Sequence, residues 1–142
     1  MNNPLRPFVA LAALLLFVTG STLAADTPAK PASDSSAGAH KGALYHVVSI
    51  KFKPDAKPEQ IKAVEEAFAA LNTKVPGITS LHWGTNVSPE KHDKGYTHCF
   101  VLTFAADKDR DTYLTHPEHQ AFGKVLGPVM ADVMVIDFWS KE

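Results

Sequence analysis

The alternation of apolar side chains in residues 44–53 constrains the fold of this chain more than any other feature. His46, Val48 and Ile50 fall on one side of this segment, whereas Tyr45 and Val47 fall on the other. A period of two residues predicts a β-strand, and apolar groups on both sides require that both faces of its sheet be covered. The remainder of the chain must supply cover for at least one of these faces.

The segments after this strand alternate between helical and extended patterns. Apolar residues at spacings of three and four predict a helix that begins at Pro58 and ends before Pro76-Gly77. Asp107 is expected to cap a short helix that ends before Pro117, where another helix begins. Three further strands are predicted, over 78–85, 96–104 and 133–139.

The order of these elements is strand, helix, strand, strand, helical region, strand, which is typical of an α+β, ferredoxin-like βαββαβ fold. Such a fold has an antiparallel sheet with helices on one face. The second face, which carries Tyr45 and Val47, then needs another cover. A second copy packed face to face covers both sheets at once, so we expect a homodimer that forms a dimeric α/β barrel.

The amino-terminal segment has the pattern of a secretory signal peptide. Arg6 precedes the apolar stretch Phe8–Val18, and small residues follow up to Ala25. This stretch is too short to span a bilayer. We therefore predict a signal peptide over 1–24 and a folded domain over 43–142. A flexible linker over 25–42, rich in Pro, Ala and Ser, is expected to join them. The mature protein would be periplasmic or secreted, without stable membrane insertion.

Composition and charge exclude several classes of function. The chain has 14 Lys and Arg against 15 Asp and Glu, and its basic residues are scattered, which argues against a nucleic-acid partner. Cys99 is the only cysteine, so the chain has no internal disulfide and no thiolate metal framework. Its neighbour His98 lies on the opposite face of the predicted strand, which separates the two as a nucleophile pair. No glycine-rich phosphate loop is present, and we expect no cofactor.

Four of the seven histidines invite a functional interpretation. In the segment His116-Pro117-Glu118-His119, the proline places His116 before the helix and His119 inside it, so we expect no shared metal site. His46 and His98 each lie on an otherwise apolar strand face. They are either core histidines with satisfied hydrogen bonds or residues that bind a ligand.

Tyr113 and His119 form the strongest chemical candidate. His119 is the third residue of its predicted helix, where the positive end of the helix disfavours an imidazolium. A neutral imidazole can accept a proton from carbon while the Tyr113 phenol donates a hydrogen bond to the adjacent carbonyl, which describes an enolisation site. In the alternative interpretation, Tyr113 packs at the edge of the core and His119 caps a turn.

Short segments along the predicted domain resemble the stress-responsive A/B barrel domain family. The resemblance implies a dimeric α/β barrel and leaves the activity open, because one fold serves many functions. The matching segments are Tyr45-His46-Val47-Val48, Lys51-Phe52-Lys53, Pro76-Gly77, His82-Trp83-Gly84, Asn86-Val87-Ser88-Pro89, Gly95-Tyr96-Thr97-His98, His116–Phe122 and Ile136-Asp137-Phe138.

The resemblance also implies roles for individual residues. Polyketide cyclases of this family close a ring by an intramolecular aldol reaction, with a tyrosine and a histidine that align with Tyr113 and His119. Their cavity is lined by histidines that align with His46 and His98. Phe68 stands where the cyclase carries a tyrosine, which implies a more apolar pocket. Two hypotheses follow: an exported protein that binds a small ligand without chemistry, or a cofactor-free lyase or cyclase.

Overall fold

A computed structural model describes residues 42–141. The predicted signal peptide and all but the last residue of the predicted linker lie outside this range. Within it, no helix has the length and apolar character needed to cross a bilayer. The elements are β1 (Leu44–Phe52), α1 (Pro58–Lys74), β2 (Ile78–Thr85), β3 (His98–Phe104), α2 (Asp107–Thr115), α3 (Pro117–Leu126) and β4 (Met130–Trp139).

The four strands form one antiparallel sheet in the order β2-β3-β1-β4. This confirms the predicted ferredoxin-like α+β fold. The helix caps differ in one place from the prediction. Asp107 is the first residue of α2 and Ala106 is the cap, without a side-chain hydrogen bond. Strand β4 begins three residues earlier than predicted because Met130 still pairs with Phe52 of β1.

Local sequence signals explain where α1 begins and ends. Pro58 occupies the first helical position, where its missing N–H costs nothing. The side chain of Gln60 accepts a hydrogen bond from the backbone N–H of Lys57 at 3.0 Å. The helix ends before Pro76, and Gly77 turns the chain into β2 with a φ of 93°, a conformation that favours glycine.

The core lies between the sheet and the three helices. Strands β1 and β3 alternate between buried and partly exposed side chains over most of their length, as a strand with one face on a core requires. The Phe68 ring of α1 stacks on Phe100 of β3 with centroids 3.9 Å apart, and Phe122 of α3 packs against Phe68 at 4.7 Å. Aromatic packing therefore joins two helices to the centre of the sheet.

The other face of the sheet carries exposed apolar side chains, which we call the open face. Tyr45 and Phe138 stack across β1 and β4 at 5.0 Å, and the next pair in the register is Val47 with Ile136. Ile136 is 49% exposed and Phe138 is 46% exposed. No helix of the described chain covers these groups, because all three helices pack on the opposite face.

The helix layer also leaves part of its own face uncovered. Val133 and Val135 of β4 lie opposite Ile50 and Val48 in the register, on the side of the sheet that carries the helices. Their partners in β1 are buried, yet Val133 is 37% exposed and Val135 is 51% exposed. The edge strand β4 is therefore only partly roofed, and a cavity opens beside it.

The alternation in β3 makes a stability prediction. Leu102 is fully buried, so Leu102→Ala should lower the free energy of unfolding by about 2–5 kcal/mol through lost burial and a residual cavity. Val87 is 91% exposed, and Val87→Ala should change it by less than about 0.5 kcal/mol. Urea denaturation of both variants measures the difference. Equal destabilisation would contradict the assigned core.

Candidate active site

A cavity of about 390 Å³ lies between the sheet and helices α2 and α3, beside strand β4. Tyr113, His119 and His46 all line it, although they come from α2, α3 and β1. Apolar groups form most of the remaining wall, with Phe68 and Leu126 among them. The fold thus brings four of the five predicted site residues, Tyr113, His119, His46 and Phe68, to one space.

The hydrogen bond of His119 determines which nitrogen faces a ligand. Its Nδ1 lies 3.1 Å from the carbonyl oxygen of Leu114. A carbonyl only accepts, so Nδ1 carries the proton and Nε2 keeps a free lone pair. Burial lowers the pKa of His119, the Leu114 carbonyl opposes this, and nearby His46 lowers the pKa further. The imidazole is therefore held neutral and able to accept a proton.

Tyr113 is a buried residue whose hydroxyl has no hydrogen-bond partner among the described residues. The residue is 1% exposed, and its ring lies 4.5 Å from that of His119, centroid to centroid. Within residues 42–141 no hydrogen bond reaches this hydroxyl, yet no fully enclosed side-chain oxygen or nitrogen lacks a partner. The hydroxyl must therefore border the cavity. Burial and the charge of Asp137 raise the pKa of Tyr113, which keeps the phenol protonated as a donor.

His46 belongs to a chain of hydrogen-bonded polar groups at the rim of the same cavity. Its Nδ1 lies 2.6 Å from Oδ1 of Asp137, its partner in the β1–β4 register. Oδ2 of Asp137 accepts from the Arg110 guanidinium at 2.6 Å. The His46 ring also meets the edge of Tyr113 with centroids 5.6 Å apart. Arg110, Asp137 and His46 thus link α2, β4 and β1 next to the Tyr113 ring.

Asp137 is a site residue that the sequence analysis missed. Burial raises the pKa of its carboxyl, but the hydrogen bonds from His46 and Arg110 outweigh burial and hold the pKa below its usual value. The available signal was an acidic residue in the apolar run 133–139. Because a strand partner depends on register, sequence alone did not connect it to His46. Arg110 carried no such signal, because α2 is rich in charged residues.

His98 does not lie on the wall of this cavity. It pairs with Ile50, four residues from His46 along β1, which separates the two by about 13 Å. Its Nε2 lies 3.0 Å from Glu65 and its Nδ1 lies 2.9 Å from the Thr97 hydroxyl. Both nitrogens are engaged inside the protein. The register therefore separates His46 from His98, and the ligand-binding role that the resemblance implies for His98 has no place in this cavity.

The two histidines of the His116–His119 segment have separate roles. Nδ1 of His116 accepts a hydrogen bond from the backbone N–H of Glu118 at 3.2 Å and caps α3. Nδ1 of His119 is engaged by Leu114. In the part of the chain that the structure describes, no group of three or more His, Cys, Asp or Glu side chains is placed to hold a metal ion.

A larger hollow of about 590 Å³ lies beside the loop 86–97 and reaches the open face. Cys99 and His82 contribute to its wall. Cys99 lies on the open face, opposite the buried side chain of its neighbour His98. The smaller cavity is the better candidate site, because it contains a buried donor and two imidazoles with open nitrogens.

The lowered pKa of His119 predicts a pH dependence of stability. Between the pKa of His119 in the folded protein and its ordinary value of 6.5, the unfolded chain binds a proton at His119 that the folded chain does not bind. The contribution of His119 to the free energy of unfolding is therefore fully present above pH 6.5 and is lost as the pH falls through the pKa of His119 in the folded protein. Urea denaturation as a function of pH, compared with His119→Gln, measures this effect. A difference between parent and variant that does not change with pH would contradict it.

Comparisons with known proteins agree with this fold. The chain matches the Stress responsive A/B Barrel Domain over residues 44–140. It is 34% identical to the stress-response A/B barrel domain-containing protein HS1 of Arabidopsis thaliana over 98 residues, which cover 69% of this chain and 90% of HS1. It is 26% identical to olivetolic acid cyclase of Cannabis sativa over 100 residues, which cover 70% of this chain and 99% of the cyclase.

Among solved structures, a protein of unknown function from Jannaschia sp. CCS1 is described as dimeric and ferredoxin-like. It superposes with a TM-score of 0.62 at 26% sequence identity, over 70% of this chain and 100% of that chain. The sheet order, the helix placement and the matched segment agree with one another. This chain belongs to the stress-responsive A/B barrel domain family.

Proposed function

We propose that this protein binds a small, largely apolar carbonyl compound in the Tyr113/His119 cavity and removes a proton from the carbon next to the carbonyl. One observation carries the proposal: a buried hydroxyl donor and a neutral imidazole with a free Nε2 border the same apolar cavity. Their pKa values are shifted apart, so at neutral pH one group donates and the other accepts.

The proposed step is an enolisation by side chains alone. Nε2 of His119 takes the proton from the carbon, and the C–H electron pair forms a carbon–carbon double bond. The carbonyl π electrons move to oxygen, where the Tyr113 hydroxyl stabilises the developing charge by a hydrogen bond. The resulting enolate can attack a second carbonyl in an aldol closure, and the imidazolium then returns its proton to the new alkoxide.

The relationship to olivetolic acid cyclase supports this proposal, because a cyclase of this family is 26% identical over nearly its whole length. The aldol closure that the sequence resemblance implies needs a base and a carbonyl donor, and the cavity contains both. Phe68 in the wall makes the cavity more apolar than a tyrosine would. A ligand-binding role without chemistry is the second candidate, favoured by the mostly apolar lining.

Exchange of ketone hydrogens in deuterium oxide distinguishes the two candidates. Acetophenone has one carbonyl and exchangeable methyl hydrogens, and proton NMR follows their loss. His119→Ala should slow the protein-dependent exchange by about 10²–10⁴-fold, since a positioned base is removed. Tyr113→Phe should slow it by about 10–10³-fold while ligand binding is retained.

His92→Ala is the matched control, because it removes an imidazole that lies outside this cavity. It should leave the exchange rate unchanged. Binding of acetophenone by the parent without any accelerated exchange would reject the enzyme and leave the binding role. Circular dichroism shows whether each variant remains folded.

We also propose that the protein is a homodimer through the open face. The exposed apolar groups on this face support it, and the related Jannaschia protein is described as dimeric. A second copy of the chain presents the same apolar surface, so it is the partner that matches the open face best. The second copy would also close the larger hollow beside the loop 86–97.

Sedimentation equilibrium tests the dimer. The parent should have twice the mass of one chain at micromolar concentration. Ile136→Asp places a charge in the centre of the interface and should shift the mass to that of the monomer, whereas Val87→Asp, in an exposed loop, should not. A monomeric parent would contradict the interface.

We propose, finally, that the protein is exported and cleaved near Ala24 or Ala25. The apolar stretch Phe8–Val18 after Arg6 and the small residues that follow support this. Mass spectrometry of the protein from its native cells should find a mature chain that begins at Ala25 or Asp26, outside the cytoplasm. An intact chain with Met1 in the cytoplasmic fraction would contradict export.

A further inference from the structure

The chain of hydrogen-bonded polar groups Arg110, Asp137 and His46 has a consequence for the ligand. The Asp137 carboxylate receives Nδ1 of His46 on one oxygen and the Arg110 guanidinium on the other, both at 2.6 Å. Arg110 is itself held by Asp111 at 2.8 Å. The carboxylate therefore lies between the guanidinium and the imidazole, and the two hydrogen bonds restrict the orientation of all three groups.

The carboxylate determines the tautomer of His46. An ionised carboxylate only accepts hydrogen bonds, so the proton of a neutral His46 lies on Nδ1 and Nε2 has a lone pair. His46 is 4% exposed, and within residues 42–141 its Nε2 has no hydrogen-bond partner. Because no enclosed side-chain nitrogen of the described residues lacks a partner, Nε2 must border open space, and the cavity is the space that His46 lines.

We propose that Asp137 and Arg110 are positioning residues that present Nε2 of His46 to the ligand as a hydrogen-bond acceptor. The cavity then has three polar atoms with different needs. Tyr113 donates to a carbonyl, and His119 faces an acidic C–H bond. Nε2 of His46 needs a donor, and a hydroxyl group of the ligand can supply it. The ligand class is therefore a carbonyl compound with a second oxygen that carries a proton, such as a hydroxyketone or an enolised dicarbonyl. This inference rests on the proposed function, because it assumes that the carbonyl lies at Tyr113.

Replacing Asp137 with asparagine should move the ring proton of His46 from Nδ1 to Nε2. Arg110 has only donors, so it would bind the amide oxygen. The amide nitrogen would then donate to Nδ1 of His46 and move the ring proton to Nε2. The acceptor in the cavity would become a donor without a change in the size of any side chain.

Two measurements test the inference in the full-length protein. Nitrogen NMR of isotopically labelled histidine reports the tautomer, and we expect the proton on Nδ1 in the parent and on Nε2 in Asp137→Asn. Ligand affinities are compared for meta-hydroxyacetophenone and its methyl ether, which has the same ring and carbonyl but carries a methyl group in place of the O–H donor. The parent should favour the hydroxyl compound by about 3–10-fold, the contribution of one hydrogen bond. Asp137→Asn should reduce this preference to less than about 2-fold.

Asp132→Asn is the matched control, since Asp132 is a carboxylate of the same strand that accepts from the Tyr96 hydroxyl instead. It should keep both the tautomer and the preference of the parent. His46→Leu removes the acceptor by a different route and should also abolish the preference, so the test survives if Asp137→Asn does not fold.

A proton on Nε2 of His46 in the parent would overturn the inference. So would a hydroxyl preference that persists in both Asp137→Asn and His46→Leu. The proposed function fails by a separate readout, the absence of acetophenone hydrogen exchange. Exchange without a hydroxyl preference rejects only the role of His46, whereas a hydroxyl preference without exchange rejects only the enzyme.

Discussion

A single antiparallel sheet with helices on one face can bury only half of its apolar side chains by itself. In this protein the helices take the face of Val48 and Ile50, where the aromatic packing of Phe68 on Phe100 builds the core. Tyr45 and Phe138 are left on the open face. The site and the proposed interface both follow from this division, because each occupies a surface that the helices do not fill.

The helix layer is also narrower than the sheet it covers. Edge strand β4 has Val133 and Val135 on the helix side, and both remain substantially exposed there. An uncovered strip next to a close-packed core produces a cavity with apolar walls and a rigid floor. The side chains that line this cavity belong to α2, α3 and β1. Because these elements are packed against the core, they hold the side chains in a defined geometry, as a functional site requires.

Buried polar groups give the strongest functional signal in this structure. His98 is as buried as a core residue, but Glu65 and Thr97 satisfy both of its nitrogens. Tyr113 is buried as well, but its hydroxyl has no partner within the described chain and borders the cavity. A native fold normally satisfies its buried polar atoms, so an open donor next to a cavity indicates a place for a ligand. Residue type alone does not distinguish these two cases.

The sequence by itself determined the order of the elements, the faces of the strands and the position of His119 in the first turn of its helix. These features depend on local periodicity and on proline positions, which neighbouring residues decide. Strand register and helix packing belong to the tertiary structure, because they depend on contacts between residues distant along the chain. Register alone placed Asp137 beside His46 and moved His98 about 13 Å away along the sheet. Packing alone brought Tyr113 next to both His46 and His119.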